Sequence, residues 1–536
     1  MALFSLKFLL FLIALLVFYY LLPKKYQWIV LLFFSIAFYF ICGSVKAGIF
    51  IVATVVSTFF GARKIDSLNQ DYKTRIKDKE HPLSKDEKAA LKTASVKEKK
   101  KYLKYVLFLN FGILGVLKYG NFITGNINSI VRLFAGNDLI PQAKFLLPLG
   151  ISFYTFQTMG YIIDVYRGKY AADTNIFKFA LYTTYFPQII QGPIGRYDQL
   201  AHQLYAEHDL NEEEFRKGGL RMLWGFFKKM IIAENLAFMV HDVLDNFGTG
   251  QFVGWSVFIG VLLYGIQMYN DFSGGIDIVL GVSEMLGIHM DENFRQPFMA
   301  TSVAEFWRRW HMSLGNWMKD YVFYPIALSK PFARMKKSAK EKFGSYYGKV
   351  LPSFLASFIT FWLVGIWHGA SWRYVFYGTY QAILVSSNTL FEKHYKRFHE
   401  VTHISETNSF WKVFMMARTT CLITFGRYFD CAADTRTALR MFRSTFTVFN
   451  PKVLFNGMVF SLGDLGMQKI LFVFAMICVG AAVDIANERG ILVRDVISRQ
   501  KTVVRWAFYY FAVLFLLIFA VYGPGYTVSD FMYQQF

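Results

Sequence analysis

The chain has 536 residues, of which 54% are hydrophobic, 19% aromatic and only 18% charged, and its mean hydropathy is positive. That composition excludes an ordinary soluble domain. The formal charge of +21 is not a nucleic-acid signature either, because the basic residues gather in connectors between apolar runs, as they do on the cytosolic side of membrane proteins.

An all-α polytopic membrane protein is therefore predicted, with about ten to twelve crossings of roughly 17 to 25 apolar residues each. The first run, Leu3 to Leu22, has no small-residue cleavage site behind it and is followed by another from Tyr26, so it is expected to stay as a span. Gly61 to Lys104 carries fourteen basic and seven acidic residues, a net of +7. This predicts a basic, partly helical cytosolic loop over 61–104 and, by parity, an external N-terminus. Tyr105 to Leu117 then leads out to a low-charge external loop, Asn121 to Gln142. Between about 164 and 300, polar residues, Gly and Pro interrupt the apolar runs at Gln188 to Tyr197 and Asn270 to Asp277. Such runs are tolerated at membrane depth where they line a cavity or pack inside protein, so re-entrant segments are expected there.

Basic stretches at Lys330 to Lys349, Lys393 to Lys412 and Arg489 to Arg505 read as cytosolic. They alternate with spans at about 350–368, 372–390, 411–430, 467–486 and 503–522, which leaves the tail 522–536 outside. Cys42, Cys421, Cys431 and Cys478 are scattered, form no CxxC pair and are expected to be buried small hydrophobes.

Glu305 to Tyr321 reads as one amphipathic helix, with Trp307, Trp310, His311, Trp317 and Tyr321 on its aromatic face and Glu305, Arg308, Arg309, Asn316, Lys319 and Asp320 opposite. A second histidine, His368, ends an apolar span beside Trp367. Ionisable groups at membrane depth are costly, and imidazole is the side chain suited to proton transfer near neutrality, so both are candidates for chemistry. His399 to His403 (HEVTH) matches a zinc-protease pattern, but it lies in a Lys-rich connector with no third ligand in view, and a solvated loop is the better reading. Asp164, Asp271 and Asp277 are expected to be caps or ion-pair partners, for instance of Arg167 or Arg295. No GxSxG elbow, P-loop or GxGxxG is present.

LPLGISFYTFQTMGYIIDVYRG (147–168), QGPIGRY (191–197), YNDFSGGIDI (269–278), NFRQPF (293–298), EFWRRWHMSLGNWMKDYVFYP (305–325) and GIWHGASW (365–372) together resemble the membrane-bound O-acyltransferase family. They are most similar to its bacterial branch, which contains alginate O-acetyltransferase and the D-alanyl transfer protein of teichoic acid synthesis. The resemblance covers about residues 105–390, the motif-bearing core of a single integral membrane domain, 1–536. It implies a ring of tilted helices around a thin floor pierced by a tunnel. His368 would be the general base and His311 a tunnel-lining partner, with Trp307, Arg308, Trp310, Asn316, Trp317 and Trp367 on the walls. No metal or bound cofactor is implied; the acyl donor would be a cytosolic thioester, acetyl-CoA or an acyl-carrier protein. The acceptor would be a cell-surface polysaccharide, reached directly or through an external acyltransferase, from a multi-pass protein of the bacterial inner membrane. The last six residues, FMYQQF, fit F-x-Y-x-x-F, similar to the terminus of the small protein that accompanies the D-alanyl transfer protein, which makes Tyr533 a candidate acyl carrier. D-alanyl transfer to teichoic acid, a zinc protease using His399 and His403, and a transporter without covalent chemistry are the alternatives.

Overall fold

The computed structural model describes residues 3–522 except 146, 406 and 455–466. Among these, helices account for the regular structure, and the only β feature is an isolated bridge between Phe294 and Trp310. Two compact units are formed: Met1–Gly218 with Val282–Asp291, and Gly219–Gly281 with Glu292–Phe536.

The first eight helices belong to the first unit: α1 (Leu6–Leu21), α2 (Gln27–Cys42), α3 (Gly48–Lys77), α4 (Lys85–Ala135), α5 (Ile151–Arg167), α6 (Ile176–Thr184), α7 (Phe186–Gln191) and α8 (Tyr197–Tyr205). Its core is rich in tyrosines, and several of their hydroxyls are hydrogen-bonded. Tyr185 donates to Ser283 at 3.0 Å, Tyr182 to the Gly195 carbonyl at 3.1 Å, and Tyr161 accepts from the Asp173 amide at 2.8 Å. The basic segment 61–104 is helical over most of its length: α3 runs on to Lys77, and α4 starts at a capping box in which Ser84 and Glu87 satisfy each other's backbone amides. After α7 the backbone turns so tightly that a Cβ on Gly192 would stand 2.6 Å from the Pro187 carbonyl oxygen.

Chain order continues with α9 (Glu212–Phe226), a π-helical stretch (Phe227–Ala233), α10 (Glu234–Asp245), α11 (Trp255–Met285), α12 (Val303–Arg309), α13 (Met312–Met318), a second π-helical turn (Lys319–Phe323) and α14 (Tyr324–Ala327). Then come α15 (Lys330–His368), α16 (Trp372–Leu390), α17 (Glu392–Thr402), α18 (Ser409–Cys431), α19 (Thr435–Thr447), α20 (Met467–Glu488), α21 (Val493–Ser498) and α22 (Thr502–Phe519). Asn270 to Asp277 lies inside the uninterrupted α11, so the break in hydropathy is not a break in the helix.

Six described helices, α2, α3, α4, α15, α20 and α22, are long and apolar enough to cross a membrane, which makes this a multi-pass membrane protein. The sequence reading expects ten to twelve. The difference lies in helices such as α11 and α18, which have the length but carry Gln267, Asn270, Asp271 and Asp277, or Arg418, Arg427 and Asp430. The cysteine expectation needs correction in burial: none of the four is in a disulfide, but Cys421 and Cys478 are exposed and Cys42 and Cys431 only half-buried.

Candidate active site

The expected helix from Glu305 to Tyr321 is broken at the histidine. α12 ends at Arg309, Trp310 is extended (φ −109°, ψ 126°), and His311 adopts the left-handed conformation (φ 48°, ψ 54°) before α13 begins. Helical periodicity survives on both sides, which is why the pattern reads as continuous. What breaks it is the loop of NFRQPF pairing with this point: the Arg295 amide donates to the Arg309 carbonyl and the Met312 amide to the Asn293 carbonyl, each at 2.9 Å. A non-glycine residue at positive φ costs of order 1–3 kcal/mol and is held only where its surroundings over-determine it. Here the surroundings are the Asn293 side chain and a cage of rings.

Asn293 fixes the chemistry of His311. Its Oδ1 accepts the Ser313 amide at 3.0 Å and the Ser313 hydroxyl at 2.9 Å, and it lies 3.2 Å from His311 Nδ1. A backbone amide can only donate, so the Asn293 atom facing this cluster is its oxygen, and His311 Nδ1 must carry the proton. The lone pair of the neutral ring then resides on Nε2. Burial, and secondarily the nearby His368, hold the His311 pKa well below the ordinary imidazole value. The ring is 2% exposed, edge-on to Phe272 at 5.0 Å and 5.9 Å from Trp367.

His368 closes α15, 6% exposed, with Trp367 at 5.1 Å and Tyr377 edge-on at 5.7 Å. The α15–α16 hairpin that carries it is tight for a specific reason: a Cβ on Gly369 would fall on the Tyr374 ring, so the glycine after the histidine lets that ring close over the end of α15. One indole, Trp367, packs against both imidazoles, so the two buried rings lie in one aromatic surround.

Trp310 is the other anchor. It stacks on Phe306 at 5.5 Å and 16°, meets Phe294 edge-on at 5.1 Å, and has the buried Arg427 guanidinium 5.0 Å over its face. Next to it Arg309 makes a two-pronged bond to Glu488 of α20 (2.8 and 3.0 Å) and one to Glu305 at 2.7 Å. Burial works against ionised Glu305, but bonds from Thr301 and Arg309 outweigh it and hold the carboxyl below its ordinary range. Of the other expected wall residues, Trp307 donates to Gln381 at 3.2 Å, Trp317 packs on Tyr321 at 5.1 Å, and Arg308 and Asn316 are exposed. Tyr533 lies outside the described residues.

The rival site does not assemble. His399 is on α17, but His403 stands beyond its end in the left-handed conformation (φ 53°), so the pair lacks the shared helical face that zinc ligation needs. His399 Nδ1 is 3.0 Å from the Ile404 carbonyl, and among the described residues no three potential ligands cluster. The three aspartates are ion-paired: Asp164 with Arg167 (3.5 Å) and Lys169 (3.6 Å), Asp277 with Arg221 (3.0 Å) and Lys228 (2.5 Å), and Asp271 with Lys229.

The chain is thus a multi-pass helical membrane protein with two buried histidines, His311 and His368, packed among aromatic rings. Residues 169–426 match the model of MBOAT, the membrane-bound O-acyltransferase family, and both histidines fall within them. Among curated proteins it is 32% identical over 364 residues to a "probable alginate O-acetylase" of Azotobacter vinelandii, covering 68% of this chain and 63% of that one. It is 37% identical over 278 residues to the protein of the same name in Pseudomonas putida (51% and 52% covered). Identity to a teichoic acid D-alanyltransferase of Bacillus subtilis is 30% over 266 residues, covering 48% and 63%. The chain thus spans about half to under two thirds of the length of these relatives.

Sequence reasoning missed Asn293 as a site residue, although NFRQPF was in view, because nothing in a linear pattern shows that this loop meets the His311 turn. Tyr374 and Tyr377, on the helix after the histidine, were missed for the same reason.

Proposed function

We propose that the protein is an O-acyltransferase of the bacterial inner membrane. It moves an acyl group, acetyl by the weight of its relatives, from a cytosolic thioester to hydroxyls of a cell-surface polysaccharide. The observation that carries this reading is the pair of buried, uncharged-environment histidines, one with its tautomer fixed by Asn293, inside the family-matched stretch.

In this reading His368 takes the proton from the acceptor hydroxyl as the oxygen attacks the thioester carbonyl. The C–O bond forms, the C–S bond breaks, and the thiolate leaves with the proton returned from His368. His311, held as the Nδ1–H tautomer, lines the path and orients the acyl group. The acceptor is Tyr533 or the polysaccharide itself. A phenol, with a reference pKa of about 10, is a better leaving group than a sugar hydroxyl, so an acyl-tyrosine would preserve the transfer potential. An external transferase would then complete the delivery.

His368→Ala is expected to abolish transfer, measured as ester-linked groups released from the cell envelope, while the purified variant keeps its elution volume and melting temperature. Full envelope esterification in that strain rejects the assignment, and released D-alanine in place of acetate selects the D-alanyl reading. Mass spectrometry of the C-terminal peptide under donor-replete conditions is expected to show an acyl adduct on Tyr533 that disappears in Tyr533→Phe. An unmodified peptide together with undiminished transfer by the Phe variant removes the relay.

A further inference from the structure

Arg427 and Asp430 stand three residues apart on α18, just past the family-matched residues 169–426. Both are buried, 2% and 6% exposed, with Arg427 Nη1 3.7 Å from Asp430 Oδ2. A buried ion pair often contributes no more to stability than apolar side chains of the same volume. What the two groups touch is therefore more informative than the pair itself.

Arg427 reaches the His311 turn. Its side chain crosses α11 at Gly265, where a Cβ would stand 3.2 Å from Nε, and its Nη1 lies 2.8 Å from Met268 Sδ. The guanidinium covers the Trp310 face at 5.0 Å. Trp310 is the extended residue between α12 and the left-handed His311, so the cation holds the indole at the point where the helix breaks.

A second guanidinium does the same beside His368. Arg373 of α16 covers the Tyr374 ring at 4.7 Å, donates to its hydroxyl at 3.1 Å and also bonds the Ala432 carbonyl at the end of α18. Tyr374 is the ring that closes over Gly369, and it lies nearly parallel to the His368 imidazole at 6.5 Å and 21°. Asp430 is the counter-charge that both arginines share, and it accepts a hydrogen bond from Tyr264 of α11.

We propose that Asp430 is a positioning residue for acyl transfer. It holds Arg427 on Trp310 and Arg373 on Tyr374, so that one carboxylate sets the His311 turn and the ring over His368 together. It acts through the two arginines rather than on the reacting atoms. The kinetic consequence rests on the acyl-transfer reading above; the effect on His311 does not.

The test is the double variant Arg427→Gln/Asp430→Asn in the full chain, which removes both charges of the buried pair and leaves neither without its partner. Its melting temperature is expected to stay within a few degrees of the parent. With a saturating acyl thioester, kcat is expected to fall about 10- to 100-fold while the donor KM stays within about twofold. In ¹⁵N NMR of histidine-labelled protein, with His311→Asn assigning the signals, the parent shows His311 protonated at Nδ1 and the double variant a mixture of tautomers. Arg427→Lys, which keeps a cation for the indole and for Asp430, is expected to recover about a third of kcat or more. Parent-like kcat in the double variant overturns the proposal. So does a loss of kcat that comes with a large drop in melting temperature and an unchanged His311 signal, which is a packing defect only. If the parent itself transfers no acyl group, the acyl-transfer reading fails. The His311 signal then decides the positioning role by itself: a mixture upholds it and an unchanged signal overturns it.

Discussion

Two buried polar clusters in the second unit solve the cost of burial in opposite ways. Around Lys229 the solution is charge: the amine is fully buried between Asp271 and Glu234, which are 2% and 1% exposed, and the π-helical stretch turns Lys228 and Lys229 inward together to reach Asp277 and Asp271. Around His311 and His368 the solution is aromatic packing: rings of Phe272, Trp367 and Tyr377 surround the imidazoles, and one amide oxygen sets the His311 tautomer. Charges locked to one another hold helices in register but are poor at exchanging protons. Neutral imidazoles in a dry cage hold little together, yet can accept and return a proton at small reorganisation cost. On the proposed reading, the first cluster is scaffold and the second carries the chemistry.

The largest effect that would break this division is at Lys229. Lys229→Met removes the cation and leaves two buried carboxylates facing each other, a change that costs about 3–5 kcal/mol when one partner of a buried pair is lost. The variant is expected to fail to accumulate as a monodisperse protein, and neutralising its partners (Asp271→Asn with Glu234→Gln in the same chain) is expected to restore it. Wild-type melting of Lys229→Met alone would remove the scaffold role. Asn293→Ala should do the reverse, costing catalysis rather than fold. Its loss frees the His311 tautomer and is expected to lower transfer about 10- to 100-fold, by analogy with groups that orient a functional imidazole. The acid limb of the rate profile is expected to shift, and melting to change by a few degrees at most; an unchanged profile would reduce Asn293 to a packing residue.

What the sequence discloses and withholds follows from the same contrast. The bounds of two C-terminal helices were legible almost to the residue, 372–390 as α16 and 467–486 within α20, although only α20 of the two has the apolar length of a membrane span. His368 was legible because it ends such a run beside a glycine. The break at His311 was not, since left-handed backbone at a non-glycine residue is imposed by a loop some fifteen residues upstream, and both flanks keep helical spacing. Nor was the Lys229 cluster: paired lysines ahead of an apolar stretch read as a surface feature until the π-helical register turns both inward.

The smallest expected effect concerns pH and separates the clusters by sign. His311 has its folded-state pKa depressed by burial, so the unfolded chain binds the proton more readily. Its contribution to stability is complete above the unfolded imidazole value, about 6.5, and is lost as the pH falls below it, at no more than about 1.4 kcal/mol per pH unit for one group. In His311→Asn, which retains a polar group but no titration, the fall in melting temperature between pH 7.5 and 5.5 is expected to be shallower than in the parent. Identical slopes would mean that His311 does not change its proton affinity on folding.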